Sequence, residues 1–572
     1  MSKDQDLVFV PLGGVGEIGM NLALYGYGSP KQREWIMVDC GVTFPGPELP
    51  GVDLILPDID FVKKLGKQLK AIIITHAHED HYGALAQLWP MLNVPVHASA
   101  FTAGMLEAKR AYERTRAEVP INLFKAGDRF NVGPFEIEPI AVNHSIPEPF
   151  SLLIRTPLGN LIHTGDWKID LTPSLGPLTD ENRFRQLGEE GILAMMCDST
   201  NAMREGVSPS EKEISAGLRE VIEQAEGRVA ITTFSSNVGR IRSIAEAARD
   251  AGREVLLLGS SIKRVVNVAT DLGMMDGIPE FLAEDEYGYI PRDKVVVILT
   301  GSQGEPRAAL AKLSRDEMRN VALTSGDTVV FSSRAIPGNE KGIIDIKNGL
   351  IEQGVKIVTD ADALVHVSGH PRRTELVQMY EWVKPKILVP VHGEAAHLTA
   401  QAALAQASGI AITPRVRNGD ILRLAPGAPE VIGQAHHGRI FKDGQLIGDH
   451  DEMGISERRK LSFAGHVAVN VVLDHRLEFQ RDPVVSAIGL PAFDADGDDM
   501  EDILYDSVLG AVESIPRGRR KDVDGVREAI RRSVRAAANE VWGKKPVVTV
   551  FVSKVGKDDH AGTAEPCGNR GA

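Results

Sequence analysis

The chain has 572 residues, 43% hydrophobic and 25% charged, which is a globular composition too long for one domain. Its 64 Lys and Arg against 78 Asp and Glu give a formal charge of −14, which excludes nucleic-acid or membrane binding through a generally basic surface. Three cysteines without a CxxC pair argue against a disulfide scaffold or a zinc ribbon. No signal-peptide pattern and no membrane-spanning apolar run is present. We therefore expect a cytoplasmic protein with no membrane partner.

The order of strand-like and helical stretches predicts several domains. Short apolar runs separated by glycine turns, such as LVFVPL and EWIMVDCG, fill the first part, residues 1–208. Over residues 209–363 short apolar runs alternate with helical stretches, which indicates an inserted parallel α/β domain. A strand followed by histidines then returns in ALVHVSGH, so residues 364–449 are expected to complete the first domain. A linker and a small α+β domain are expected at 450–555, and a disordered tail at 556–572.

An early glycine pattern suggests a dinucleotide site but does not carry one. Gly14, Gly16 and Gly19 match GxGxxG after a strand, and Asp39 follows at the distance that such a fingerprint requires. The next residues, NLALYGY, alternate like a strand, whereas a dinucleotide site needs a helix there. We therefore predict a glycine loop between two strands.

The motif THAHEDH carries the strongest chemical signal. Its residues His76, His78, Asp80 and His81 offer imidazole and carboxylate ligands at the end of a predicted strand. His76 and His78 share a side, and a turn then directs Asp80 and His81 outward, so the ligands can be divided between two cations. Two such ions ~3.5–4 Å apart activate water and hold the attacking and leaving oxygens of a displacement.

Three further candidates follow strand-like runs, where loops gather site residues. They are His144 in AVNHSIPEP, Asp166 in LIHTGDWKID and His392 in ILVPVHGEAAH. With THAHEDH, this order resembles the metallo-β-lactamase superfamily over most of residues 1–430. The segments CDSTNA, HVSGH and PVHGE resemble the β-CASP nucleases, and TGSQGEP, SSRAIPGNE and HVSGHPRR together resemble the ribonuclease J family.

The resemblance implies a fold and a metal centre. The fold is a metallo-β-lactamase αββα sandwich with an inserted β-CASP parallel α/β domain and a small C-terminal α+β domain for subunit association. His76, His78 and His144 resemble the ligands of one ion, Asp80, His81 and His392 those of the other, and Asp166 the bridge between them. Zn²⁺ is the expected metal for both positions, and Mn²⁺ is the alternative, since the site is rich in oxygen ligands.

The resemblance also implies an acid and an RNA-binding pocket. His370 resembles the histidine that protonates the departing 3′-oxygen, and Asp198 the carboxylate that orients it. The expected contacts to the terminal nucleotide and its 5′-phosphate are Ser235, Ser236, Asn237, His366, Val367, Ser368, Gly369 and His370. Arg334, Arg372, Arg373, Lys263 and Arg264 are candidates for backbone phosphates. A basic run, RGRRK, lies at 517–521 and is followed by an arginine-rich helix. These arginines could bind nucleic acid or form salt bridges with acidic neighbours, and the sequence favours neither.

Together these features predict a ribonuclease J-like hydrolase of phosphodiester bonds. We expect a 5′-monophosphate-dependent, 5′-to-3′ exoribonuclease with endoribonuclease activity, which binds single-stranded RNA in RNA maturation and decay. A homodimer or homotetramer is expected. A DNA nuclease of the same superfamily and a catalytically silent RNA-binding subunit are the alternatives, although all seven ligand positions and His370 are intact.

Overall fold

The computed structural model describes residues 5–113, 118–336, 338–476 and 478–555. Backbone contacts divide the chain into two compact units. The larger contains the residues up to Phe44 and Leu54–Ile440, and the smaller contains Pro45–Asp53 and the residues from Phe441 onward. The tail predicted at 556–572 lies outside the described residues. No helix within the described ranges is long and apolar enough to cross a membrane.

The larger unit begins with short strands that the glycine turns separate as predicted. Its elements up to the insertion, with a 3-10 turn at Gly66–Gln68, are β1 (Asp6–Gly13), β2 (Leu22–Gly28), β3 (Glu34–Val38), β4 (Leu54–Pro57), α1 (Asp60–Leu65), β5 (Leu69–Ile73), α2 (Glu79–Tyr82), α3 (Leu85–Leu92), β6 (Val96–Ala98), α4 (Ala100–Glu113), β7 (Ile121–Leu123), β8 (Phe130–Val132), β9 (Phe135–Ala141), β10 (Phe150–Thr156), β11 (Gly159–His163), α5 (Glu181–Glu190) and β12 (Ala194–Asp198). The GxGxxG pattern is the loop between β1 and β2, so no helix follows it, and the prediction of a glycine loop is confirmed.

The insertion and the return of the chain to the first domain follow. Their elements, with 3-10 turns at Tyr287–Tyr289 and Arg292–Lys294, are α6 (Glu211–Gln224), β13 (Val229–Thr232), α7 (Val238–Asp250), β14 (Glu254–Leu258), α8 (Ser260–Asp271), β15 (Val295–Leu299), α9 (Ala309–Ser314), β16 (Thr328–Phe331), α10 (Glu340–Glu352), β17 (Lys356–Val358), α11 (Arg373–Val383), β18 (Ile387–Val391), α12 (Ala395–Ala407), β19 (Asp420–Ala425) and β20 (Glu430–Gln434).

Two sheets form the sandwich of the larger unit. One has eight strands in the order β20-β19-β1-β2-β3-β5-β6-β7, and the other has six in the order β18-β12-β11-β10-β9-β8. Apolar side chains of both sheets, such as Phe9, Ile73 and Leu152, meet in the core between them. Leu88 of α3 packs on the outer face of the first sheet, and Phe184 of α5 on that of the second. The predicted αββα sandwich is confirmed.

The insertion contains a parallel sheet, as the alternation of apolar and helical runs predicts. Its five strands lie in the order β14-β15-β13-β16-β17 and all pair in parallel. The helix α6 begins with a capping box in which the side chains of Ser210 and Glu213 bond to each other's backbone N–H. β13 is the central strand of this sheet, and its carboxyl end is at Thr232. The segment from Ser235 to Asn237 lies at that end.

One predicted strand is absent. ALVHVSGH was expected to pair in a sheet, but Leu364–His370 forms no ladder in the described structure. The carbonyl of Val365 accepts instead from the Ser332 hydroxyl at 2.7 Å and from the Arg240 guanidinium at 3.3 Å. Because side chains occupy the Val365 carbonyl, that carbonyl makes no strand ladder, and the segment is a loop.

The smaller unit is an α+β domain, as expected. Its elements are β21 (Arg439–Asp443), β22 (Leu446–Gly448), α13 (Ile455–Ala464), β23 (His466–Leu473), β24 (Val484–Ile488), α14 (Met500–Ser514), a 3-10 turn (Arg517–Arg519), α15 (Val523–Trp542) and β25 (Val547–Lys554). Apolar residues of α14 and α15 pack on the sheet β24-β23-β25. On α15, Arg527 pairs with Asp524, and Arg531 and Arg532 pair with Glu528, so local salt bridges neutralise much of the basic face.

Candidate dinuclear metal centre

The seven predicted ligands lie in loops after four strands. The loop after β5 carries His76 and His78, and the short helix α2 that follows it carries Asp80 and His81. His144 follows β9, Asp166 follows β11, and His392 directly follows β18. The fold therefore brings all seven residues together at one end of the two sheets.

The first cluster consists of His76, His78, His144 and Asp166. His76 Nε2 and His144 Nε2 lie 3.1 and 3.0 Å from His78 Nδ1. Asp166 Oδ2 lies 3.6 Å from His144 Nε2 and 3.9 Å from His76 Nε2. Burial lowers the pKa of all three imidazoles, that of His78 to about 4, so they are neutral at pH 7 and present lone pairs.

The second cluster consists of Asp80, His81, Asp166 and His392. His81 Nε2 lies 3.3 Å from Asp166 Oδ2 and 3.6 Å from Asp80 Oδ2. His392 Nε2 lies 3.6 Å from the same Asp166 oxygen and 3.8 Å from Asp80 Oδ2. The two clusters therefore share Asp166 Oδ2.

Asp166 provides the test of whether a pair of cations fits these residues. It is buried, and its Oδ1 has no hydrogen-bond partner in the described structure. A buried carboxylate oxygen without a partner is costly, and a cation beside it removes that cost. Neutral imidazoles and carboxylates are also the donors that Zn²⁺ prefers. The residues present therefore suit a dinuclear metal site, with Asp166 between the two positions.

Residues that flank strands of the first sheet orient the imidazoles of the second cluster. His81 Nδ1 lies 2.7 Å from Asp39 Oδ2, and His392 Nδ1 lies 2.9 Å from Asn21 Oδ1. Both oxygens can only accept, so each Nδ1 carries a proton, and each Nε2 is the nitrogen that faces the cluster. Asn21 also donates its amide N–H to the Asp80 carbonyl at 3.1 Å. Each imidazole of this cluster is thus fixed in tautomer and orientation.

The first cluster is held in part by the inserted domain. His76 Nδ1 contacts the Thr75 hydroxyl at 3.0 Å. His78 Nε2 lies 3.0 Å from Ser236 Oγ, and His144 Nδ1 donates to the Gly369 carbonyl at 2.7 Å. A Cβ at position 369 would lie 2.5 Å from the His144 ring, so only glycine lets the loop approach this closely.

His370 and Asp198 lie beside the clusters and contact each other. His370 Nδ1 donates to Asp198 Oδ2 at 2.7 Å, and the other Asp198 oxygen accepts from the backbone N–H and the hydroxyl of Thr200 at 2.9 and 2.7 Å. Burial lowers the pKa of His370, but the carboxylates of Asp198 and Asp166 outweigh it and raise that pKa to about 9. The contact with Asp198 therefore favours the protonated imidazole, which is the form that a general acid needs.

The predicted nucleotide contacts include Ser236 and Gly369, which contact ligands of the first cluster. The other predicted contacts differ from one another in burial and in hydrogen bonding. Ser235 is half-buried, whereas Asn237 Oδ1 caps α7 by accepting from the Arg240 N–H. Val367 packs its side chain in the core, so it offers only backbone atoms to a ligand. The loop from His366 to His370 is tied down by Asn201, whose amide N–H groups donate to Ser368 Oγ and the His370 carbonyl, both at 3.0 Å. The pKa of His366 is lowered to about 3 by burial and nearby arginines, so its ring is neutral.

Comparison with known proteins supplies the family. The model "Ribonuclease J, beta-CASP domain" matches residues 226–350, and "Ribonuclease J C-terminal domain" matches 453–555. "Beta-lactamase superfamily domain" matches residues 34–181, and "Zn-dependent metallo-hydrolase RNA specificity domain" matches 354–414.

Curated relatives extend the match to almost the whole chain. A protein of Sinorhizobium meliloti named Ribonuclease J is 74% identical, covering 97% of this chain and 98% of that protein. The chain belongs to the ribonuclease J family. Ribonuclease J of Mycolicibacterium smegmatis is 36% identical over 95% of this chain and 96% of its own. A crystal structure from Enterococcus faecalis, of unknown function, shares the fold with a TM-score of 0.50 at 15% identity, over 76% of this chain and 100% of its own. The prediction of a metal-dependent, RNA-binding ribonuclease of this family is thereby confirmed.

Several residues of this family member contribute to the site although the sequence did not single them out. Asp39 was considered only as part of a dinucleotide fingerprint, yet it binds both His81 and Thr75. Asn21 is the first residue of NLALYGY, and Asn201 lies within CDSTNA. A polar residue beside a buried strand is the signal that indicates such positions.

Four of the five candidate contacts to backbone phosphates have local partners in the structure. Arg334 pairs with Asp360, Arg373 with Glu205 and Lys263 with Glu284, while Arg264 lies over the Tyr112 ring. Two histidines outside the clusters have structural contacts: His163 Nδ1 lies 2.8 Å from the Tyr25 hydroxyl, and His97 stacks on Phe130.

Proposed function

We propose that this ribonuclease J-family protein degrades and matures single-stranded RNA 5′-to-3′ from a 5′-monophosphate end and also cleaves internally. The observation that carries the proposal is the sharing of Asp166 Oδ2 by two ligand clusters beside the His370–Asp198 pair. This arrangement provides two cation positions and a separate acid, the parts that phosphodiester hydrolysis needs. Zn²⁺ is the proposed metal in both positions, with Mn²⁺ as the alternative.

The residues divide the chemistry between them. Two ions bound by the clusters would activate a water molecule and hold the phosphate oxygens. His370 is placed to give its Nε2 proton to the departing 3′-oxygen, because its Nδ1 is occupied by Asp198. Asp198 keeps the imidazole oriented and protonated, and Thr200 fixes the other oxygen of that carboxylate.

The segments from Ser235 to Asn237 and from His366 to His370 are proposed to bind the 5′ end. Small hydroxyl groups offer donors to a phosphate without steric bulk. The Ser368 hydroxyl accepts from Asn201, which leaves its own hydrogen available for an anion. A pocket of this kind fits one phosphoryl group better than three.

The smaller unit is proposed to associate subunits into a homodimer or homotetramer. Its sheet β24-β23-β25 packs on helices through one face, while Ile488 and Phe551 stay 69% and 58% exposed. The proposed location is the cytoplasm, because Cys40 and Cys197, the cysteines of the described ranges, are both unpaired.

The test uses end-labelled RNA and DNA of one sequence that carry a 5′-monophosphate, a 5′-triphosphate or a 5′-hydroxyl. We expect mononucleotides to accumulate from the 5′-monophosphate RNA and only slow internal cleavage of the other two RNAs. Equal rates on all three RNA ends would contradict the end-dependent mode. Faster cleavage of the DNA would favour the DNA nuclease, and no cleavage with two bound ions would favour a silent subunit.

A further inference from the structure

We propose that Ser236 of the inserted domain is a positioning residue for the metal ligand His78, so that the inserted domain sets the affinity of one of the two metal positions. The proposal rests on the dinuclear site of the proposed function. It assigns Ser236 a task beyond the predicted contact with a 5′-phosphate.

The orientation of the His78 ring carries the argument. Its Nδ1 lies 3.1 Å from His76 Nε2 and 3.0 Å from His144 Nε2, so Nδ1 is the nitrogen that faces the ligand cluster. A ligating nitrogen must present its lone pair, which leaves the ring proton on Nε2. Ser236 Oγ lies 3.0 Å from Nε2 and accepts that proton's hydrogen bond. As an acceptor, the hydroxyl therefore stabilises the tautomer in which Nδ1 can bind a metal ion.

The inserted domain holds Ser236 in place from its own side. The Ser236 carbonyl accepts from the Val238 N–H at 2.9 Å, and the next residue, Asn237, caps α7. One turn into α7, the fully buried guanidinium of Arg240 makes hydrogen bonds of 2.9 to 3.1 Å with the carboxylate of Glu211. A buried, doubly bonded arginine leaves this helix start little freedom. Ser236 is thus a fixed acceptor for the His78 ring.

The contact has a consequence for the metal. Partners of this kind orient the ligand ring and raise its basicity, and their loss typically lowers metal affinity by ~10–100-fold. Only one of the two metal positions should respond. Among the described hydrogen bonds, the Ser236 side chain contacts His78 of the first cluster and no ligand of the second. Loss of the hydroxyl should therefore lower the affinity for one of the two bound ions and leave the affinity for the other unchanged.

The experiment measures metal affinity without RNA. Metal-free protein is titrated with Zn²⁺ against a chromophoric chelator, for the full chain and for Ser236→Ala, Ser236→Thr and Ser235→Ala. We expect Ser236→Ala to bind one ion as the parent does and the other ~10–100-fold more weakly. Ser236→Thr keeps the hydroxyl and should retain both affinities. Ser235 neighbours Ser236 but has no contact with His78 among the described hydrogen bonds, so Ser235→Ala is the matched control.

Activity then separates the positioning role from a phosphate contact. If Ser236 positions His78, excess Zn²⁺ restores the kcat of Ser236→Ala on 5′-monophosphate RNA. Parent-like affinity for both ions, together with a raised KM that excess Zn²⁺ does not correct, would overturn the proposal. Failure of the parent protein to bind two ions would instead remove the dinuclear site itself. Circular dichroism confirms that each variant is folded.

Discussion

The two ligand clusters differ in what holds their imidazoles. In the second cluster, His81 and His392 bond to Asp39 and Asn21, which flank strands of the first sheet of the sandwich. In the first cluster, two of the three imidazoles bond to Ser236 and Gly369, which lie in the segments proposed to bind RNA. One half of the metal centre is therefore built by the hydrolase sandwich alone.

The difference teaches how an insertion can change a metal site without changing its ligands. The seven ligands follow strands of the sandwich, so the inserted domain supplies none of them. The outer nitrogens of His78 and His144, however, need acceptors, and the substrate-binding segments supply them. Metal affinity of the first cluster and binding of the 5′ end are then expected to depend on each other.

Removal of one ligand from each cluster should have the largest effect. His78→Ala and His392→Ala are each expected to abolish RNA hydrolysis and to reduce the bound Zn²⁺ from two ions to one, because each loses a ligand atom of one position. The fold should persist, since both side chains lie at the end of a sandwich with its own large core. Elemental analysis after gel filtration measures the ions. Two retained ions in either variant would remove that residue from the ligand set.

Loss of the proposed acid should leave both clusters intact. His370→Ala is expected to keep two ions and bind RNA, but to lower kcat by ~10²–10⁴-fold, as is typical for a general acid. Asp198→Asn should lower kcat by less, and the double variant should resemble His370→Ala alone, because the two residues act as one unit.

A modified substrate provides the control for this prediction. RNA with a 3′-bridging sulfur needs little protonation as the leaving group departs, so it should be cleaved by His370→Ala almost as fast as by the parent. A variant that loses an ion, or that shows no sulfur rescue, would identify His370 as a ligand or a positioning group instead.

The sequence predicted the parts of this arrangement that lie in single motifs. THAHEDH, with His144, Asp166 and His392 after apolar runs, was sufficient to indicate two cation positions, because ligands at strand ends converge in such a fold. The alternation of apolar and helical runs indicated the parallel insertion for the same local reason.

The partners that orient the ligands could not be predicted in this way. His78 and Ser236 are far apart in the chain, and nothing in FSSN indicates that its second serine meets an imidazole. ALVHVSGH was expected to be a strand because its composition is apolar, whereas tertiary contacts of Val365 with Ser332 and Arg240 decide its conformation. Such contacts depend on how two domains meet, which local periodicity does not encode.

The second cluster should respond to its own supporting residue. Asn21→Ala removes the acceptor of the His392 N–H and the donor to the Asp80 carbonyl, so we expect a ~10–100-fold loss of affinity for one ion. Asn21→Asp keeps the acceptor and should lose less. The chelator titration that measures Ser236→Ala also measures these variants. The double variant Asn21→Ala, Ser236→Ala should bind both ions more weakly than the parent does. Unchanged affinity for both ions would contradict the assignment of a separate supporting residue to each cluster.

The smallest effect on the metal is expected from a residue that acts on it only through Arg240, Ser236 and His78. Glu211 is buried between Arg240 and Lys168, with Lys168 Nζ 3.2 Å from its Oε1. Burial raises its pKa, but Arg240 and Lys168 outweigh that and lower it to about 2. Glu211→Gln leaves the buried Arg240 guanidinium without its carboxylate, while Lys168 keeps its ion pair with Asp170, so we expect a loss of up to ~3–5 kcal/mol in unfolding free energy.

The pH dependence of that loss follows from the sign of the shift. A carboxyl whose folded pKa lies below its unfolded value stabilises the fold above the unfolded pKa, which is ~4.3 for Glu. The stabilisation disappears as the pH falls from there towards about 2. The difference in melting temperature between the parent and Glu211→Gln should therefore be constant from pH 7 to about 5 and shrink below that. Arg240 lies in the helix that follows Ser236, so Glu211→Gln should also lower the affinity for the ion of the first cluster. The loss should be smaller than in Ser236→Ala, and the affinity for the ion of the second cluster should not change. Equal weakening of both ions would mean that Glu211 acts through the whole unit and not through the inserted domain's contact with His78.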